Sequence, residues 1–193
     1  MIFKYSDKRD VAPVLLQDAV DLSGASFFTR GSVKEVLTFI SRTVVQKSSS
    51  SEHSSVSHEA HVAHVHVKGN KLACVVLTDK DYPARVAHDV IRRALEAFEK
   101  AVPADQWASL TADKIFSVPE IAALLTKSQS PAEIDQLLKL QSDVDEVKEI
   151  MTKTMGKVLD RGETLEDLMA STDQLSATSK TFVKQTKKLN RCC

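Results

Sequence analysis

Val158-Leu-Asp-Arg-Gly-Glu-Thr-Leu-Glu-Asp-Leu168 places a full positive charge, Arg161, where the surrounding pattern asks for an apolar side chain. Alternating steps of three and four lead from Arg161 toward the N-terminus through Val158, Thr154, Met151, Val147, Val144, Leu140 and Leu137. The same steps lead toward the C-terminus through Leu165, Leu168, Thr172, Leu175, Ser179, Phe182, Thr186 and Leu189. Of these sixteen positions eleven are apolar, four are small hydroxyl residues and one is charged. A 3.5-residue repeat sustained this long is the stripe of a coiled coil; a helix packed in a globular core carries a broader face. An arginine in such a seam is costly to desolvate unless partner helices supply acceptors at its layer. One polar seam residue fixes register and partner number at some cost in stability. The pattern predicts one strand of a hetero-oligomeric helical bundle. Continuous from Leu137 to Leu189, the helix would run roughly 80 Å. Gly156 and Gly162 flank its centre, each weakening an isolated helix by ~1 kcal/mol relative to Ala, so order is expected only when the stripe is buried.

The chain has 193 residues, long enough for one compact domain plus an extended helix. Lys+Arg and Asp+Glu both number 26, which gives no support to bulk nucleic-acid binding. The charge is nevertheless uneven: Lys180, Lys184, Lys187, Lys188 and Arg191 close the chain without an acidic residue among them. Two readings stand, a solvated helix end favoured by the helix dipole and a polybasic segment beside an anionic membrane. No run of about 18 apolar residues occurs, and the start of the chain lacks the apolar stretch of a signal peptide. Three cysteines make no disulfide framework, which points to the cytosol. Cys74, in the apolar run Leu72-Ala-Cys-Val-Val-Leu77, reads as a small core residue.

The first ~125 residues alternate strand and helix patterns. Ile2–Tyr5 and Val14–Leu16 read as short strands. Ser32-Val-Lys-Glu35 reads as a capping box opening a helix whose buried face is Val33, Val36, Leu37, Ile40 and Val44. Ser48–Ser57 reads as a mobile serine-rich loop. Ala60–Val67 and Leu72–Leu77 read as a β-hairpin turning at Gly69-Asn70. Pro83 suits the first turn of a second helix, with Val86, Val90, Ile91, Leu95 and Phe98 buried. Trp107–Lys127 is weakly patterned, a short helix and a linker, and Ser130-Pro-Ala-Glu133 reads as the start of the long helix. The sum is an α+β domain with an antiparallel sheet.

His58, His61, His64 and His66 invite a metal site, yet no Cys or carboxylate cluster completes a tetrahedral set, and they read as ordinary strand and loop histidines. No nucleophile motif, phosphate loop or zinc-hydrolase motif occurs, so neither catalysis nor a cofactor is expected. Asp79-Lys-Asp-Tyr-Pro-Ala-Arg85 reads as a strand-to-helix turn. Cys192 and Cys193 trail a polar tail and carry two readings, a pair of exposed thiols and a dual-lipidation site; the second is favoured, since one acyl chain anchors marginally and two anchor stably. A C-a-a-X box would need three residues beyond a cysteine, which leaves open a processed or shortened end and a terminal di-cysteine signal.

Gln141-Ser-Asp-Val-Asp-Glu-Val-Lys148 and Val158–Leu168 resemble an R-SNARE motif centred on Arg161. Phe27-Phe-Thr-Arg-Gly-Ser-Val33, His64-Val-His-Val67 and Thr78–Arg85 resemble the longin domain of the Ykt type of R-SNARE, the lipid-anchored kind without a transmembrane helix. The resemblance covers nearly the whole chain. It implies a profilin-like longin domain (1–127), with a five-stranded antiparallel sheet between helices, then an R-SNARE coiled coil (128–191) and lipidated cysteines (192–193). It implies that Arg161 meets glutamines from three Q-SNARE helices, and that Phe39 belongs to a groove that folds the SNARE segment back onto the domain. Cys192 corresponds to the acylated or prenylated cysteine of the family and Cys193 to the farnesylated one. The departures are the missing aaX residues and a longer serine/histidine loop.

The expected function is vesicle-membrane fusion in secretory, endosomal or vacuolar trafficking, by a cytoplasmic protein that cycles to the cytosolic face of Golgi, vesicle, endosomal or vacuolar membranes. A second class of function is a longin adaptor or scaffold without fusion activity. The free seam would be an apolar patch larger than monomers usually show, so a closed state is expected with the seam packed in pieces around the domain near Phe39.

Overall fold

The computed structural model describes residues 1–8, 10–130 and 150–190, and of 187–190 the backbone alone. The described elements are β1 (Ile2–Lys4), β2 (Val14–Gln17), α1 (Arg30–Gln46), β3 (His53–His58), β4 (His61–Val67), β5 (Leu72–Asp79) and α2 (Ala84–Ala101). They continue with α3 (Ala104–Trp107), α4 (Pro119–Ser128), β6 (Met151–Thr154), α5 (Met155–Val158), α6 (Leu165–Ser171) and α7 (Ala177–Asn190).

Alternation along the strands makes one sheet with two apolar faces. On β1 and β5, Phe3, Ala73 and Val75 join Val44, Val45 and Phe39 of α1 in one core. Their neighbours Ile2, Leu72 and Cys74 join Ile91, Leu95 and Phe98 of α2 in the other. The sheet is thus sandwiched between helices, and the class is α+β as the sequence predicts. Strand order is β2-β1-β5-β4-β3-β6. The first five strands pair antiparallel, while β6 joins the edge strand β3 in parallel and makes the sheet mixed. The expected stripe of α2 is buried throughout, and burial pushes the Cys74 thiol pKa up.

The hairpin turn lies at Gly69-Asn70 as expected, but the left-handed residue is Lys71 (φ 72°). Lys71 N–H donates to the Lys68 carbonyl at 3.0 Å and Leu72 N–H to Asn70 Oδ1 at 3.1 Å, so the asparagine side chain braces the turn.

Two expectations are corrected. Ser32–Glu35 is not a capping box: α1 begins at Arg30 behind Thr29, and Ser32 is buried within its first turn. The N–H groups of Thr29 and Arg30 already donate to the Ser26 carbonyl, which starts the helix earlier. The Glu35 carboxylate is engaged elsewhere, by Ser176. Ser48–Ser57 is not a mobile loop throughout, since residues 53–57 belong to β3, with Ser54 and Ser55 buried. Only Val56 on that stretch is apolar; pairing with β4 on one side and β6 on the other makes it a strand. The helix start assigned to residues 130–133 lies outside the described residues beyond Ser130, as do Leu137, Leu140, Val144 and Val147 of the seam.

Candidate functional site

Residues 150–190 pass along the exposed edge of β3 and then across α1. An edge strand presents unpaired N–H and C=O groups, and β6 satisfies them with Ser54, Ser55, Val56 and Ser57 opposite Met151, Thr152, Lys153 and Thr154. Lys153, opposite Val56, pairs with Glu52 just ahead of β3, and Ser57 Oγ donates to the Lys153 carbonyl at 3.3 Å.

The chain then turns into α5, which buries Met155 and, just beyond it, Leu159 in the core beneath α1. Gly162 takes φ 91°, a left-handed conformation that a side chain would strain, and ends this turn. Thr164 caps α6: it accepts from the Asp167 N–H at 3.1 Å and donates to Asp167 Oδ2 at 2.6 Å. From α6 and the turn beyond it, Leu165, Met169 and Leu175 enter the same core as Phe39. Each such side chain contributes about 1.5–3 kcal/mol of burial, before the entropy of ordering the segment is counted.

Polar contacts follow α1 from its end to its start. Lys47 Nζ lies 2.5 Å from Asp160 and 3.8 Å from Glu163. Arg42 donates to Gln174 Oε1 at 3.0 Å and binds Asp113 with its other terminal nitrogen at 2.5 Å. The Glu35 carboxylate accepts from the Ser176 N–H at 3.0 Å. That bond, with help from the Ser179 hydroxyl, holds the Glu35 carboxyl below the usual range against the opposing effect of burial. A cavity of about 310 Å³ remains between α1 and the segment, floored by Phe39 and Leu168 and rimmed by Arg42, Lys47 and Glu163. Thr43, Ser171 and Thr172 also line it.

The predicted seam is divided by this arrangement. Leu165, Leu175 and Ser179 are buried; Val158, Leu168, Thr172 and Phe182 are half-buried; Met151, Thr154, Arg161 and Thr186 are exposed. Leu189, Cys192 and Cys193 carry no described side chains. Met155, Leu159 and Met169 are buried although they lie off the seam, and the 3.5-residue repeat does not include them. The available signal was a second set of apolar pairs four residues apart, Met155 with Leu159 and Leu165 with Met169.

The histidines separate into two groups. His64 is buried, with Nδ1 2.8 Å from Ser55 Oγ and Nε2 3.1 Å from Thr78 Oγ1. His53 and His66 stack at 3.8 Å across β3 and β4, and His88 of α2 approaches both His53 and His64. At the hairpin tip, His58 Nε2 lies 3.8 Å from Glu166 Oε1 of α6. Ligand atoms of His58, Glu59 and Glu166 fall within 4.8 Å of one another, the one such group with metal-binding potential among the described residues. Its members are exposed or half-exposed, and the His58–Glu166 pair already joins the hairpin to the C-terminal segment. No helix among the described residues is long and apolar enough to cross a membrane.

Comparison with known proteins gives two family matches along the chain. Residues 22–118 match the longin family, a regulated-SNARE-like domain, and residues 136–193 match the synaptobrevin family. The chain is 42% identical to the putative synaptobrevin homolog YKT6 of Dictyostelium discoideum over 183 residues, which cover 94% of this chain and 91% of the relative. It is 39% identical to the VAMP-like protein YKT61 of Arabidopsis thaliana, covering 94% and 90% of the two chains. It is 34% identical to the synaptobrevin homolog YKT6 of Saccharomyces cerevisiae, covering 92% and 90%. A sheet-and-helix domain joined to a seam with one central arginine, matched over nearly its full length, places this chain in the Ykt6-type longin R-SNAREs, a non-enzymatic family of membrane-trafficking proteins.

Proposed function

We propose that residues 128–191 zipper with three Q-SNARE helices into a four-helix bundle that drives vesicle-membrane fusion, and that the longin domain (1–127) holds the segment closed until partners arrive. In the bundle Arg161 stands in the central layer opposite one glutamine from each partner. The seam runs on either side of it, and lipids on Cys192 and Cys193 join the C-terminus to the cytosolic face of a secretory, endosomal or vacuolar membrane.

One observation carries the reading. Leu165 and Leu175, which a coiled coil would turn toward its partners, are buried in the same core as Phe39. A side chain cannot serve both interfaces, so closure and assembly compete for the same apolar surface. Arg161 is exposed in the closed form, where its charge remains hydrated. It would leave water only when acceptors are supplied.

The test mixes the full chain with the three Q-SNARE helices and follows SDS-resistant assembly, then lipid mixing between vesicles when the chain is anchored. Assembly accompanied by lipid mixing is expected. Assembly without lipid mixing, despite anchoring, would make the chain an adaptor, and no assembly would overturn the proposal.

A further inference from the structure

Phe27 and Phe28 are 79% and 93% exposed, the most exposed large apolar side chains among the described residues. They meet edge to face, with centroids 5.7 Å apart and an interplanar angle of 85°. The turn that carries them is bonded into place. Ser26 Oγ lies 2.9 Å from Thr29 Oγ1, the Thr29 and Arg30 N–H groups donate to the Ser26 carbonyl, and Arg30 Nε donates to the Ala25 carbonyl at 3.2 Å. Single exposed apolar residues are ordinary, whereas an aromatic pair displayed on a braced turn marks a contact surface.

The surroundings identify the partner. Gln174 binds at Arg42, and Ser176 binds at Glu35, so rising numbers on the segment meet falling numbers on α1. α7 thus starts beside Glu35, five residues along α1 from Arg30 and the aromatic turn that precedes it. α7 carries Lys180, Lys184, Lys187 and Lys188 and no acidic residue. The start of α1 adds Arg30, which is exposed. Apolar side chains beside a cationic helix have the chemistry that binds an anionic bilayer surface, the rings entering the acyl boundary and the cations meeting headgroups.

We propose that Phe27 and Phe28 form a membrane-inserting aromatic wedge of the domain itself, which with Arg30 and the lysine-rich α7 seats the closed protein on an anionic lipid surface. This deepens the membrane reading above and is independent of bundle assembly. Closure would then keep the basic helix and the aromatic wedge on one side of the molecule, giving the domain its own orientation on the bilayer.

The test uses the full chain without lipid on its cysteines. It should sediment with phosphatidylcholine–phosphatidylserine vesicles, less with phosphatidylcholine alone, and less in high salt. Phe27→Ser/Phe28→Ser should weaken binding by about tenfold or more, because two rings no longer leave water. Both side chains are exposed, so the variant should keep its fold, checked by circular dichroism. In Phe28→Trp the new indole should shift to the blue on adding anionic vesicles, while Trp107, 3% exposed, contributes a constant background. Sedimentation that is absent, or equal in wild type and the double variant, would overturn the proposal. So would a Phe28→Trp signal that is already blue without vesicles, or that shifts only with Q-SNARE helices, since the pair would then contact protein. The R-SNARE reading fails separately, in the vesicle-free assembly assay.

Discussion

The carboxylate of Glu35 accepts a hydrogen bond from the backbone N–H of Ser176, 3.0 Å away and 141 residues further along the chain. Ser176 is also the residue that starts α7: its Oγ accepts from the Ser179 N–H at 3.2 Å, and its carbonyl accepts from the Lys180 N–H. A side chain of the domain thus fixes the residue that caps a helix of the SNARE segment.

Replacing Glu35 with Ala should release α7 with little effect on the sheet. Hydrogen exchange across residues 177–186 should quicken by roughly threefold to tenfold, the range for one charge-assisted bond at a partly hydrated site. Because the Glu35 carboxyl is held below its ordinary value near 4.5, its contribution is complete above that value and is lost as pH falls through the lower folded value. Exchange in α7 should therefore be insensitive to this group at neutral pH and approach that of the variant in acid. Equal rates in wild type and variant at neutral pH would show that the bond does not hold α7.

The imidazoles between β3, β4 and α2 should make the domain acid-sensitive over a different window. Burial lowers the pKa of His64 to about 4 and that of His88 to about 3, the latter helped by repulsion from His64, His53 and His66. A folded-state value below the ordinary 6.5 means stability is complete above 6.5 and declines as pH falls toward 4 and 3. The limiting slope is about 1.4 kcal/mol per pH unit for each histidine. Urea midpoints should be level above neutrality and fall below it, and His88→Gln should flatten the decline. A level profile down to pH 5 would refute the assignment.

Much of the domain is legible in the chain because its signals are local. Leu72–Leu77 alternates onto two faces, and the α2 stripe recurs at helical spacing. The strand β3 is not legible, since His-Ser-Ser-Val-Ser-His has a single apolar residue and Ser55 finds its partners on β4 and α2. Ser32–Glu35 has the residues of a cap, yet whether a carboxylate closes on its own helix or on a segment far along the chain depends on tertiary structure. The seam is legible as a period of 3.5, while the closed packing uses pairs four residues apart, Met155 with Leu159 and Leu165 with Met169. Two periods overlaid on one segment are what two alternative interfaces require. β6 has almost no signal of its own, because its pairing is set by the open edge of β3.

Met169 allows those interfaces to be separated. It is 7% exposed in the closed form but lies off the seam. Met169→Asp should open the segment by placing a charge in the core under α1, while leaving every seam position intact. Exchange over residues 165–179 should rise by about tenfold or more, and assembly with Q-SNARE helices should quicken. Phe39→Glu should act in the same direction from the domain side. Slower assembly of a folded Met169→Asp protein would mean that closure does not restrain it.

Lipid attachment is checked by the intact mass of the protein from its native cells, which should carry adducts on Cys192 and Cys193. Two chains anchor stably where one binds marginally. Cys193→Ser should therefore make membrane attachment reversible and salt-sensitive while leaving bundle assembly in solution unchanged. A membrane fraction of Cys192→Ser/Cys193→Ser that is undiminished in high salt, where surface electrostatics are screened, would refute anchoring through these residues.

Arg161 gives the sharpest contrast between free and assembled protein. It is exposed in the turn between Asp160, which Lys47 holds, and Gly162, whose φ of 91° shapes that turn. Removing an exposed side chain there should change the stability of the free protein by no more than about 0.5 kcal/mol. In the proposed bundle the same change would leave the facing glutamine amides without their donor, at a cost of about 1–3 kcal/mol for each one left unpaired. Arg161→Ala should therefore melt with the wild type when alone. With partners, it should lose much of its preference for three glutamine-bearing helices over a set in which one glutamine is replaced by arginine, since the like charges no longer meet in that layer. Competition between the two sets, read by SDS-resistant complex formation, measures that preference. An unchanged preference would remove Arg161 from the central layer, whatever the melting temperature shows.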